Sequence, residues 1–214
     1  MGESTSSNSV VITGMGIVSP LGCDAKVFWQ GLQEGRSGVE RISSFDSSGY
    51  PCQIAACVRD FHPEDIFDKK ELRHYDAFVQ YALVAAHQAV EHAALDLAGV
   101  DPQRVGVFVG SGLGGLETLE RNHRALLEKG PRRVSPYFMP MTITNMAAGL
   151  ISIHLGVQGP NLSVSTACAT ANHAFGLALN ALRRGDADII LAGGSEAIIT
   201  PLGLASFCAA KAVA

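Results

Sequence analysis

Apolar residues along this chain follow two rhythms. Short, β-branched runs stand at 10–13 (VVIT), 105–110 (VGVFVG), 162–166 (LSVST) and 188–192 (DIILA), the pattern of strands buried in a sheet. Between them, apolar residues recur at helical spacing. The longest such stretch, 76–97, is alanine-rich and is followed by Gly99. Residues 116–129 predict a second helix, closed by Gly130-Pro131. Residues 142–155 predict a buried helix with a face of small residues. Residues 168–184 predict a fourth, with Arg183 and Arg184 in its last turn, where cations suit the negative end of the helix dipole, and Gly185 beyond. Nearer the start, Gly16, Pro20 and Gly22 punctuate a connection, and Asp24 can cap a helix reaching Gln33, closed by Gly35. The stretch 36–60 is mixed, with turn signals at 47–49 and at Pro51.

Strand, helix and strand from 162 to 192 form one βαβ unit. Its strands are too apolar for a half-exposed sheet, so they predict parallel strands covered on both faces, an α/β architecture. The last strand runs into Gly193-Gly194-Ser195-Glu196.

Composition sharpens this picture. Of 214 residues, 47% are hydrophobic and 17% charged, an apolar excess that fits a doubly covered sheet, a surface buried against a partner, or both. The net charge of −4 implies no general attraction to nucleic acid or to anionic membrane. No apolar run reaches the roughly 18 residues needed to span a bilayer. The five cysteines, at 23, 52, 57, 168 and 208, form neither a CxxC pair nor a metal-ligand spacing, so a reducing, cytoplasmic compartment and no metal site are expected. The polar opening MGESTSSNS (1–9) reads as a disordered leader, a better reading of Met1-Gly2 and Ser6 than a myristoylation signal. Residues 10–214 then form one domain.

Two places along the chain carry candidate chemistry. The first is Gly110-Ser111-Gly112-Leu113-Gly114-Gly115, which contains GxGxxG after a strand and before a helix, as a dinucleotide-binding oxidoreductase would. That fold needs a second parallel strand ending in an acidic residue. Here the helix leads instead into Gly130-Pro131-Arg132-Arg133 and a loop with Pro136 and Pro140. Close backbone packing and a tight turn account better for these glycines.

The second is VSTACATANHA, 164–174. Cys168 stands where a strand ends and a helix begins, beside unpaired N–H groups that stabilise a thiolate. Ala167, Ala169 and Ala171 leave room beside the sulfur, and Thr166 and Thr170 can fix the turn with their hydroxyls. A buried structural thiol is the plain alternative. His173, five residues on, is turned about 140° around the helix from Cys168 and so is expected to be structural rather than a catalytic partner.

Several stretches together identify a family. VVITGMGIVSPLG, GRSGV, VFVGSGLGGLE, PRRVSPYFMPMTITNMAAG, GPNLSVSTACATANHA, GDADIILAGGSEA and TPLG resemble the N-terminal half of an elongating (type II) β-ketoacyl-acyl carrier protein synthase, the condensing enzyme of fatty acid and polyketide synthesis. The resemblance implies a thiolase-like fold, with a five-stranded sheet between helical layers in each half. It implies an acyltransferase in which Cys168 takes an acyl chain as a thioester, after which malonyl-acyl carrier protein is decarboxylated and condensed with it. By the same resemblance Leu113 matches the family's residue at the acyl-pocket gate, and Phe138 matches one that lines the pocket of the neighbouring subunit in a homodimer. Lys69, Lys70, Arg73, Arg132, Arg133 and Lys211 match positions where the family docks the acidic carrier protein. No resident cofactor is implied, since the acyl groups arrive on a phosphopantetheine arm.

The family's full chain is about twice as long, and its second half supplies two active-site histidines, a lysine and a second oxyanion donor. The 214 residues are therefore expected to be a fragment that does not catalyse condensation alone. The rival from another class is a non-catalytic protein that binds carrier protein or pairs with a condensing enzyme. The intact cysteine weighs against it.

Overall fold

The computed structural model describes residues 9–213, so the leader expected at 1–9 lies, apart from Ser9, outside the described residues. The described strands are β1 (Val39–Arg41), β2 (Ile54–Ala56), β3 (Val105–Gly110), β4 (Asn161–Leu162) and β5 (Ile189–Gly194). The helices are α1 (Ala25–Gln33), α2 (Lys69–Leu72), α3 (Ala77–His92), α4 (Leu116–Lys129), α5 (Phe138–Thr142), α6 (Met146–Leu155), α7 (Thr170–Arg184) and α8 (Pro201–Ala209).

The centre is a parallel sheet in the order β4–β3–β5. β3 pairs with β5 along its whole length, Val105 opposite Ile189 and Gly110 opposite Gly194, and with β4 at Val107 and Phe108. Every residue of β3 is buried. Its alternation splits the core into two layers. Val105, Val107 and Val109 pack with Phe78, Val79 and Leu83 of α3 and with Ala147, Ala148 and Ile151 of α6. Phe108 points the other way, to Ala178 and Ala181 of α7. Helices thus cover both faces, as the apolar strands require. Arg104, just before β3, donates two hydrogen bonds to the Asp188 carboxylate, at 2.6 and 3.0 Å, just before β5. It donates a third to the Gly185 carbonyl at the end of α7, at 2.8 Å. One side chain therefore aligns the entry of both strands and tethers the helix between them.

The sequence reading needs correction at element boundaries. The predicted helix 76–97 ends at His92, because Ala94 takes a left-handed φ of 48° and Asp96 caps a separate 3₁₀ turn, Leu97–Gly99. The predicted helix 142–155 starts late, as α6 at Met146, because Thr142 is the last residue of the separate helix α5 and Ile143 turns extended. Of the strand expected at 162–166 only Leu162 pairs, together with Asn161 before it, and α7 begins at Thr170 rather than at 168. The short antiparallel ribbon of β1 and β2 carried no clear signal. The run 10–13 is extended but joins no sheet among the described residues, and its Ile12 is 88% exposed. The described sheet accordingly has three parallel strands instead of the five that the family resemblance implies.

One buried side chain joins two helix starts. Asp76 is the N-cap of α3, accepting from the Phe78 N–H. Its other oxygen accepts from the Thr118 N–H at 3.1 Å and the Thr118 hydroxyl at 2.7 Å. Thr118 lies in the first turn of α4, whose own N-cap, Gly115, has no side chain to offer. Asp76 is 4% exposed, so removing it strands three buried donors. Asp76→Ala is expected to lower the unfolding free energy by about 2–4 kcal/mol, and Asp76→Asn by less, in urea titrations followed by circular dichroism. A loss under about 0.5 kcal/mol for the alanine variant would contradict the shared cap.

Candidate active site at the carboxyl edge of the sheet

Because β3, β4 and β5 are parallel, the segments that follow them leave from one edge. There the chain gathers the glycine loop 111–115 after β3, the turn 163–169 after β4, and Ser195-Glu196 after β5. Ligand sites in open parallel sheets form at this edge.

Cys168 is exposed. It sits in a 3₁₀ turn, Ala167–Ala169, that leads directly into α7. The turn is tight: Ala167 has a left-handed φ of 51°, which an alanine adopts only at some cost. Hydroxyls hold it, as the threonines on either side suggested. The Thr166 N–H donates to Thr170 Oγ1 at 2.9 Å, and His173 Nδ1 lies 2.7 Å from Thr166 Oγ1. His173 therefore braces the turn from α7 and makes no hydrogen bond to the thiol. The backbone N–H of Cys168 has no hydrogen-bond partner among the described residues. Of the three alanines expected to leave room beside the sulfur, Ala171 instead packs where a Cβ on Gly194 would stand, at 3.2 Å.

The glycine loop lies against this turn. A Cβ on Gly110 would stand 2.0 Å from the Val164 carbonyl oxygen and 2.6 Å from Thr170 Cγ2. Only glycine there lets the chain leading to Cys168 come this close to the end of β3. Across the loop, Ser165 Oγ donates to the Gly112 carbonyl at 3.0 Å. From β5, Glu196 Oε2 accepts the Gly112 and Leu113 N–H groups at 2.8 and 3.1 Å, while its Oε1 accepts from Ser111 Oγ at 3.0 Å. Ser111 Oγ in turn accepts the Gly114 N–H at 2.9 Å. Sequence reasoning did not single out Glu196. Its signal was its place as the first acidic residue after a buried parallel strand.

Leu113 is 55% exposed at the tip of this loop. Phe138 is half-buried at the start of α5, whose last residue, Thr142, accepts the Gly115 N–H through its carbonyl at 3.0 Å. The two residues thus stand on adjoining segments. After α4 comes the turn Pro131–Arg133 and then α5, with no parallel strand, so the glycine loop lacks the βαβ frame of a dinucleotide site.

The six basic residues are all exposed and form no ion pair among the described residues. His74 and Tyr137 stack at 3.9 Å between ring centres. That contact sets the segment of Lys69, Lys70 and Arg73 beside the segment of Arg132 and Arg133. Lys211 follows α8. Among the described residues no cluster of three or more His, Cys, Asp or Glu side chains is arranged to hold a metal ion.

Comparison with known proteins agrees with this geometry. Residues 7–214 match the family model described as β-ketoacyl synthase, N-terminal domain. The chain is 48% identical over 204 residues to 3-oxoacyl-(acyl-carrier-protein) synthase 2 of Staphylococcus aureus, covering 95% of this chain and 49% of that protein. Among solved structures, the ishigamide ketosynthase/chain length factor superposes with a TM-score of 0.87 at 28% identity, over 95% of this chain and 51% of that one. A type II PKS ketosynthase solved in complex with its acyl-carrier protein superposes with a TM-score of 0.78 at 26% identity, over 92% of this chain and 53% of that one. The chain spans about half the length of the curated relatives it matches.

The cysteines differ enough to be told apart chemically. Burial pushes the Cys23 thiol up, and the charges of Asp60 and Asp24 add to this against a hydrogen bond from the Ser19 backbone. Cys52 is buried, whereas Cys168 is exposed beside a helix start. At pH 7, iodoacetamide is expected to alkylate Cys168 at least about tenfold faster than Cys23, read by peptide mass mapping. Equal rates would contradict this distinction between the two thiols.

Proposed function

The chain belongs to the β-ketoacyl synthase family through its N-terminal domain, and from that premise we propose that the protein is a β-ketoacyl-acyl carrier protein synthase of fatty acid or polyketide synthesis, with Cys168 as the acyl acceptor. The observation that carries the reading is an exposed thiol in the turn that opens α7, at the carboxyl edge of a parallel sheet. In the proposed first stage the Cys168 thiolate attacks the carbonyl carbon of an acyl thioester on the carrier's phosphopantetheine arm. The carbonyl becomes an oxyanion, the carbon–sulfur bond to the carrier breaks, and the carrier thiolate leaves and takes up a proton. In the second stage malonyl-carrier protein loses carbon dioxide. The carbanion left behind attacks the acyl-Cys168 carbonyl, a carbon–carbon bond forms, and the Cys168 thiolate is released. Each stage develops an oxyanion, and the unpartnered N–H of Cys168 is the donor this chain offers to it.

The remaining roles belong to the same proposal. Leu113 and Phe138 line the path of the acyl chain. Lys69, Lys70, Arg73, Arg132, Arg133 and Lys211 receive the acidic carrier protein, supported by their exposure, their lack of ion pairs among the described residues and the His74–Tyr137 stack that joins two of their segments. A second copy of the chain pairs across α6, β4 and α7, where Ile153 and Phe175 leave 72% and 53% of their surfaces uncovered and β4 is the edge of the sheet. The setting is cytoplasmic and the reaction uses no resident cofactor. Five free thiols fit a reducing compartment, and among the described residues no helix is long and apolar enough to cross a membrane.

Incubating the full-length protein with an acyl-acyl carrier protein is expected to leave an acyl group on the Cys168 peptide, seen by mass spectrometry and absent from Cys168→Ala. Acyl transfer that survives in Cys168→Ala would overturn the assignment, and no adduct in the parent would favour a non-catalytic binding protein. Charge reversal at Arg132 and Arg133 together is expected to raise KM for the acyl-carrier substrate about tenfold in low salt, with kcat within about twofold, because docking charges act mainly on encounter. An unchanged KM would move the docking face elsewhere.

A further inference from the structure

We infer that Glu196 is a positioning residue that clamps the glycine loop against the Cys168 turn and so holds Leu113 at a fixed height beside the sulfur. The inference rests on Cys168 being the acyl acceptor. Four observations carry it. The first is convergence: two successive backbone N–H groups, of Gly112 and Leu113, aim at the same carboxylate oxygen, and Ser111 Oγ binds the other. Such paired N–H groups form an anion-binding concavity, and here a side chain from the segment that follows the neighbouring strand fills it. The second is that Glu196 takes part in none of the chain's ion pairs among the described residues, so its hydrogen bonds are all to Ser111, Gly112 and Leu113. The third is steric. A Cβ on Gly112 would stand 2.7 Å from Glu196 Oε2, too close to fit without a shift, and in ordinary contact with Ala167 Cα at 3.6 Å, so the bare backbone of the loop lies tight against the carboxylate and next to the turn of Cys168. The fourth is the opposing tie, Ser165 Oγ to the Gly112 carbonyl. Gly112 is thus held from its N–H side by β5 and from its carbonyl side by the chain that leads into Cys168.

Leu113 follows directly and contributes one of the clamped N–H groups, yet its side chain is exposed. Its position relative to the Cys168 turn therefore depends on hydrogen bonds to its backbone rather than on packing of its own side chain. Releasing the carboxylate frees the loop to move relative to the sulfur. That alters access for a long chain passing Leu113 more than for a small reagent that needs only the thiol.

The test compares two alkylating agents on Cys168 of the full-length protein, iodoacetamide and N-dodecyl iodoacetamide, and reads the ratio of their rate constants. Glu196→Ala is expected to shift this ratio about three- to tenfold, with a smaller change in the iodoacetamide rate itself. Glu196→Gln is expected to restore the parent ratio, because an amide oxygen in place of Oε2 still accepts both backbone N–H groups. An unchanged ratio in Glu196→Ala would overturn the inference, as would a Gln variant that behaves like the alanine one, which would make charge rather than geometry the cause. Should Glu196→Ala not fold, Ser165→Ala removes the opposing tie and is expected to shift the ratio as well, and an unchanged ratio there counts against the clamp. A parent protein whose Cys168 reacts with neither agent would instead overturn the assignment of Cys168, an outcome distinct from a reactive cysteine with an unmoved ratio.

Discussion

Burial of β3 along its whole length, in parallel register with β5, is the constraint on which the rest depends. A strand with no exposed position must be covered on both faces, and parallel neighbours can be reached only by crossing back over one face or the other. α6 supplies one crossing and α7 the other, and α7 can return to the start of β5 only if it begins where β4 has led, at the sheet's carboxyl edge. The location of the helix start beside Cys168 is therefore a consequence of sheet connectivity. The apolar side chains that enforce it, Val105, Val107, Val109 and Phe108, each contribute about 1.5–3 kcal/mol on burial. Arg104 and Asp188 add alignment at the opposite edge.

The same edge is anchored twice over. Asp76 caps α3 and α4 together, fixing the far end of the glycine loop to the helical layer. Glu196 fixes its near end to the segment that leaves β5. Between these two carboxylates the loop runs from Gly110 to Gly115 with no freedom to add side chains where it meets Val164, Thr142 or Met141. Glycine in this loop serves close approach to neighbouring backbone, which is why its resemblance to a dinucleotide fingerprint misleads. Both uses need a bare backbone, but here it faces protein.

The chain's apolar excess has two sources, and both are visible. One is the doubly covered sheet. The other is surface: Ile12, Ile153, Phe175 and Leu127 are all exposed, the last of these by 73%.

Much was legible from residue order alone. The period of apolar residues located β3, α4, α7 and β5, because buried strands and amphipathic helices write their own spacing, and the strand-to-helix corner at Cys168 followed from that pattern and from the small residues around it. The family stretches identified the chemistry expected of that cysteine. Local order could not reveal contacts between residues far apart in sequence. Asp76 looks like an ordinary N-cap until Thr118, 42 positions away, is folded beside it. Glu196 looks like a loop carboxylate until parallel pairing carries it 84 positions back to Gly112. His173 was correctly placed off the thiol by helical geometry, but that it braces Thr166 required the reversal of the chain in the 3₁₀ turn. Residue order determined which groups could do chemistry. The tertiary structure decided which of them meet, since strand pairing brings distant segments to one edge and no periodicity in the sequence encodes that distance.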